Sequence, residues 1–172
     1  MHPESFHLMK RIIDKHLPDT SHRRVLDVGG ADVNGSYRPI FDESVQYETL
    51  DRKDASIIVQ GYDWPDIGDF DVVISGQTLE HDPKFWLTVK NMSSVTKPGG
   101  LIVVIVPSAG PVHRHPVDCY RFLPDSMPVF AEIMEAQLLE VLRDPKRVKW
   151  GRAVRPNKWD DVAGVFSKPS AR

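Results

Sequence analysis

The run Val25-Leu26-Asp27-Val28, closed by Gly29-Gly30, constrains this chain more than any other stretch. Four residues bounded by turn formers are too few for a helix, and they read as a short buried parallel strand. Arg23 and Arg24 lead into it, a polar, turn-rich segment follows, and Ser36 to Phe41 then opens or skirts a helix. A strand that ends in glycine ahead of a helix is how open α/β sheets build a nucleotide crevice. Glycine lets the backbone turn sharply and lets a ligand approach with no Cβ in its path. The chain lacks the full G-x-G-x-x-G spacing of the dinucleotide fingerprint, and an ordinary strand-to-loop turn has the same composition.

The next strand sharpens the reading. Val45 to Leu50 alternates and ends in Asp51, about twenty residues past the glycine turn, where an acidic side chain accepts hydrogen bonds from a ribose diol. From the glycine turn and this aspartate onward, over about Arg23 to Asp125, the chain resembles the class I S-adenosylmethionine-dependent methyltransferases. Within them it is similar to the small type 11 branch, which often acts on small molecules. The Leu79-Glu80-His81 segment after an apolar strand and the Lys97-Pro98-Gly99-Gly100 turn before another belong to the same resemblance.

That resemblance implies a Rossmann-like, doubly wound α/β fold. Its sheet has seven mostly parallel strands in the order 3-2-1-4-5-7-6, with helices on both faces and an antiparallel last strand. It implies S-adenosyl-L-methionine as cofactor. Asp27, Gly29 and Gly30 lie at the glycine turn, Asn34 and Ser36 reach the methionine part, and Asp51 takes the ribose. Asp63 and Trp64 border the adenine, and Arg52 and Ser75 complete the set. Asp27 more often orients backbone and water than the cofactor itself. The bland reading of Asp63-Trp64-Pro65 is a tight surface turn.

Along the chain, Phe6, Met9, Ile12, Ile13 and Leu17 recur at helical spacing and predict a helix over Pro3–His16 that packs on the sheet. Ile57–Val59 and Phe70–Ser75 read as strands three and four. Asp82-Pro83 opens a second helix with Phe85, Trp86, Val89 and Met92 on its core face. The Lys97–Gly100 turn ends it, and Leu101–Val106 is the fifth strand. A helix over Ser126–Gln137, a strand over Leu138–Leu142 and a last strand over Asp160–Phe166 follow. The 172 residues make one domain, with an N-terminal helical segment over 1–18 and a basic insertion over 143–160. The net charge of −2 gives no global case for nucleic acid, and a single cysteine, Cys119, excludes an internal disulfide. With no apolar run of membrane length and no leader-like N-terminus, the default is a soluble cytoplasmic protein.

The densest chemistry lies in Pro107–Phe122, after the fifth strand, on the side of the sheet where such folds bind ligands. Its His113 and His115, together with His81, are candidate general bases for a hydroxyl acceptor, because histidine titrates near neutrality. Asp118 either orients a histidine or acts as the base. Arg114, Tyr120 and Arg121 are candidate acceptor contacts, the arginines for an anionic one. The plainer alternative is that Asp118 and Arg121 pair to fix the loop. His-x-His also suits a divalent ion, but with Asp118 as the sole further ligand no metal is assigned. The basic residues of 143–160 read as a solvated face that is placed to touch an anionic substrate.

The expected activity is O-methylation of a small molecule such as a sugar, a phosphonate or another secondary metabolite. The short chain leaves little room for a protein or RNA acceptor. The oligomeric state stays open, with a homodimer among the options. Two rivals remain: a non-catalytic cofactor-binding partner subunit, and a nicotinamide-dependent reductase, against which the incomplete glycine fingerprint counts.

Overall fold

The computed structural model describes residues 3–32, 35–143 and 159–170. Within them, seven strands form a sheet: β1 (Arg24–Val28), β2 (Gln46–Asp51), β3 (Ile57–Ile58), β4 (Phe70–Gly76), β5 (Thr96–Ala109), β6 (Gln137–Arg143) and β7 (Asp160–Ser167). Their order is β3-β2-β1-β4-β5-β7-β6. The first five pair in parallel, and β7 runs antiparallel to both β5 and β6. This is the order the resemblance implied. From β1 the chain moves outward to β2 and β3, then returns to place β4 on the other side of β1. The C-terminal ends of β1 and β4 therefore flank the switch point, where open α/β sheets hold their ligands.

The central strands are apolar on both sides because both faces are covered. On one face α1 (Pro3–His16) buries Leu8, Met9, Ile12 and Ile13 against Val25, Val72, Val103 and Val165. On the other, α2 (Phe85–Ser94) and α3 (Ser126–Met134) bring Val89, Met92, Met127 and Phe130 onto Leu26, Val73, Ile102 and Phe166. Each such side chain taken fully from water stabilises the fold by about 1.5–3 kcal/mol.

Several local expectations change. Ser36–Phe41 holds only a 3-10 turn at Arg38–Ile40. Residues Leu79–His81 form another, and α2 starts at Phe85 rather than at Asp82-Pro83. The Asp82 carboxylate is held by the hydroxyls of Tyr62 and Thr88 ahead of the helix. Trp86 is 42% exposed and does not join the core. α3 stops at Met134 because Glu135 adopts a left-handed conformation with φ 51°. Lys97–Gly100 lies inside β5 as an irregularity opposite Asp71, between the Phe70–Thr96 and Val72–Leu101 pairs. Gly99 at φ +76° makes the local reversal, and Lys97 Nζ donates to the Asp71 carboxylate at 3.0 Å.

Candidate active site

The glycine turn sits at the end of β1. Gly29 has φ +80°, and a Cβ there would fall 2.1 Å from Thr78 Oγ1. A Cβ on Gly30 would lie 2.7 Å from Asp27 Cγ. Both positions need glycine for space, and Gly29 needs it for conformation as well. The Gly29 N–H donates to Leu50 O at 2.7 Å, which ties the turn to the end of β2 and sets the half-buried Asp51 beside it. Asp51 Oδ1 accepts from the Arg52 backbone N–H at 2.6 Å. A glycine turn with a carboxylate at the next strand tip suits a nucleoside.

Asp27 is buried below the turn and accepts from the Tyr47 hydroxyl at 2.6 Å. Burial pushes its carboxyl up to about 7, against the opposing Tyr47 hydrogen bond. Ser75 is also buried, and its hydroxyl donates to Val28 O at 2.9 Å, so it braces β4 against β1. Asp63 is exposed, and Trp64 is half-buried against the core cluster under α2. Arg52 is exposed. Ser36 Oγ accepts from the Arg38 backbone N–H at 3.0 Å. Asn34 lies outside the described residues.

Loop 107–122 docks back across the ends of β4 and β5. Phe122 N–H donates to Pro107 O at 2.9 Å and closes the base of the loop, while Cys119 N–H donates to Glu80 O at 2.7 Å. Asp118 and Arg121 form a bidentate pair at 2.6 and 2.8 Å, and Arg121 also donates to the carbonyls of Tyr120 and Pro111. The guanidinium holds the Asp118 carboxyl far below the usual carboxylate range. Arg121 is thus the strut of the loop, and both its terminal nitrogens are engaged. Tyr120 is pinned by its hydroxyl to Pro83 O at 2.8 Å and stacks its edge near Phe85. Arg114 and His115 are exposed. Of the basic residues over 143–160, Arg143 donates to Asp160 at 3.0 Å; Lys146, Arg147, Lys149, Arg152, Arg155 and Lys158 lie outside the described residues.

The loop brings His113 against His81, with ring centroids 4.6 Å apart, while Trp159 packs on His113 at the same spacing. His81 Nδ1 lies 2.6 Å from Val117 O, and His113 Nδ1 lies 3.4 Å from Asp118 Oδ2. Both Nε2 atoms are turned toward Glu80, at 3.6 and 3.8 Å from its Oε1. Glu80 is fully buried, and neither of its carboxylate oxygens has a hydrogen-bond partner among the described residues. Burial pushes its carboxyl up to about 7, and burial likewise lowers the His113 imidazole, with His81 adding to the effect. Sequence reasoning quoted Glu80 within its segment and gave it no role. The adjacent Glu80-His81 pair was its only local signal, and its burial depends on a loop thirty residues downstream.

A family described as "Methyltransferase domain" matches residues 22–104, just under half of the chain, running through the glycine turn and Asp51 and ending inside β5. No curated protein matches the sequence. Among solved structures, the Burkholderia thailandensis 1,6-didemethyltoxoflavin-N1-methyltransferase, with bound 1,6-didemethyltoxoflavin and S-adenosylhomocysteine, is similar at a TM-score of 0.71 and 13% identity. The match covers 96% of this chain and 79% of that one. The [4+2]-cyclase SpnF is similar at 0.71 and 15% identity, over 95% and 82% of the two chains. A chain from the complex between the Haloferax volcanii Trm112 methyltransferase activator and a methyltransferase is similar at 0.65 and 16% identity, over 96% and 91%. At such identities these likenesses establish the fold, and one of them is named for a cyclisation, so chemistry must be argued from the site. Over residues 22–104 the chain matches a methyltransferase domain, and its fold is that of the class I S-adenosylmethionine-dependent methyltransferases. Its cofactor is S-adenosylmethionine, and no described helix is long and apolar enough to cross a membrane.

Proposed function

We propose that this methyltransferase acts on a hydroxyl group of a small molecule bound between the glycine turn and loop 107–122. The observation that supports this reading is the convergence of two histidine Nε2 atoms and a buried carboxylate at the C-terminal ends of β4 and β5. An amine acceptor is nucleophilic once neutral, whereas a hydroxyl gains from a group that takes its proton, typically by 10²–10⁴-fold. The cofactor supplies an already activated methyl group, so the chain mainly aligns the two partners, an effect worth about 7–11 kcal/mol. In this reading Gly29, Gly30, Asp51, Asp63 and Trp64 hold the cofactor, with Asn34 and Ser36 toward its methionine part. His81 and His113 receive the acceptor proton, and Asp118 positions His113 by accepting from its backbone N–H. Exposed Arg114 meets an anionic group on the acceptor. Residues 1–172 act as one domain.

Calorimetry with S-adenosylmethionine and S-adenosylhomocysteine, followed by turnover on hydroxyl and amine acceptors of matched size, tests it. Preference for hydroxyl acceptors is expected, with His113→Ala slowing turnover about 10²–10⁴-fold at unchanged cofactor affinity. Wild-type turnover by His113→Ala, or exclusive amine methylation, would overturn the assignment. A second reading, that the chain works only with a protein partner, takes support from its likeness to the chain from the Trm112 complex. Tight cofactor binding with no turnover on any acceptor would favour it.

A further inference from the structure

We propose that Glu80, His81 and His113 form a binding site for one divalent transition-metal ion of the Zn²⁺ type. Val117 O can only accept, so His81 carries its proton on Nδ1 and turns a bare Nε2 toward Glu80. Asp118 Oδ2 lies 3.4 Å from His113 Nδ1 and anchors that residue by accepting from its backbone N–H at 2.8 Å. Two imidazole Nε2 atoms and a buried carboxyl group thus face one another, and neither oxygen of that carboxyl has a hydrogen-bond partner among the described residues. A cation among them would satisfy all three groups.

The distances fit an ion better than direct hydrogen bonds. Glu80 Oε1 is 3.6 Å from His81 Nε2 and 3.8 Å from His113 Nε2, and the three donor atoms lie within 4.8 Å of one another. An ion about 2.0–2.1 Å from each donor needs neighbouring donors roughly 3.3 Å apart. The side chains need to close by about 0.3 and 0.5 Å on the Glu80 edges and by at most about 1.5 Å between the two histidines. The surroundings are those of a ligand set: His81 is oriented through its Nδ1 by the Val117 carbonyl, and His113 is anchored by its backbone N–H on Asp118. Trp159 and His81 clamp the His113 ring, and the buried Glu80 carboxylate lacks any other partner among the described residues. Two nitrogens and one oxygen favour Zn²⁺, Co²⁺ or Fe²⁺ over Mg²⁺ and Ca²⁺, which prefer all-oxygen sites. Three protein ligands leave a coordination position open. The site stands on its own geometry; with an ion bound the two Nε2 lone pairs are occupied, so the ion rather than the histidines would acidify the acceptor hydroxyl, a use that rests on the hydroxyl acceptor proposed above.

The full chain, stripped of metal by chelation, is titrated with Zn²⁺ by calorimetry and with Co²⁺ by visible absorption, without cofactor or acceptor. About one ion per chain is expected, with a four- or five-coordinate Co²⁺ spectrum and a raised melting temperature. Glu80→Gln, nearly isosteric, should weaken Zn²⁺ binding at least about tenfold and abolish that rise, as should His113→Ala. His7→Ala, on an exposed face of α1, should leave it unchanged. No stoichiometric binding, Mg²⁺ binding as tightly as Zn²⁺, wild-type affinity in Glu80→Gln, or loss of the ion in His7→Ala would each overturn the site. Because binding is read without turnover, its failure leaves the histidines as proton acceptors, and a failed acceptor screen leaves the metal result intact.

Discussion

Asp27 lies under the glycine turn with its carboxyl buried at 3% exposure and pushed up to about 7. A carboxyl whose folded-state pKa exceeds its unfolded value, near 3.8, binds more protons when folded between those two points. Folding stability therefore falls as pH rises from about 4 to about 7 and is flat above that window. Each pH unit inside it is worth about 1.4 kcal/mol, so the stretch from about pH 5 to about pH 7 costs roughly 3 kcal/mol. For a chain of this size that is on the order of 6–10 °C in melting temperature. Asp27→Asn keeps an oxygen to accept from Tyr47 and removes the ionisation. Glu80 is raised in the same direction, so the readout is the difference between the two proteins, from thermal melts at about pH 5 and about pH 8. Asp27→Asn should lose several degrees less across that interval than the wild type does. Identical losses would mean that Asp27 titrates normally and that the buried-carboxyl account is wrong.

Other expectations follow from single contacts. Asp51→Ala should weaken S-adenosylmethionine binding about tenfold or more by calorimetry while leaving the melting temperature within a few degrees, because the half-exposed carboxylate is a ligand contact rather than a core one; near-normal affinity would remove it from the ribose site. Gly29→Ala places a Cβ against Thr78 at φ +80° and should cost about 1–3 kcal/mol in backbone strain alone, with the steric contact added; an unchanged denaturant midpoint would refute the crowding. Glu135→Gly at the α3 terminus, where φ is 51°, should stabilise by about 0.5–1 kcal/mol without touching cofactor binding; a destabilised variant would show that the Glu135 side chain does more than end the helix.

The strands were legible because their signal is local. Val25–Val28, Phe70–Ser75 and Leu101–Val106 are apolar on both faces, and only a sheet covered on both sides accepts such runs. The strand order was legible through family resemblance, and the crevice through Gly29 and Asp51. Boundaries that depend on packing were not: Trp86 has the spacing of a core residue, but α2 begins late, after Asp82 is held by Tyr62 and Thr88, and its rotation leaves the indole exposed. The Lys97–Gly100 turn became a bulge inside β5 because Phe70 already pairs with Thr96.

At the site, the amino-acid order alone established which residue types follow β5 and that Asp118 and Arg121 stand within reach of each other. That the two form an ion pair follows from the loop's closure on Pro107 and Glu80. Burial of Glu80, the inward turn of two Nε2 atoms and the clamp of Trp159 on His113 join residues from three separate segments. No local pattern encodes that meeting. It arises because parallel crossovers carry the ends of β4 and β5 to the same edge of the sheet, and because β7 returns antiparallel beside β5 to deliver Trp159 there.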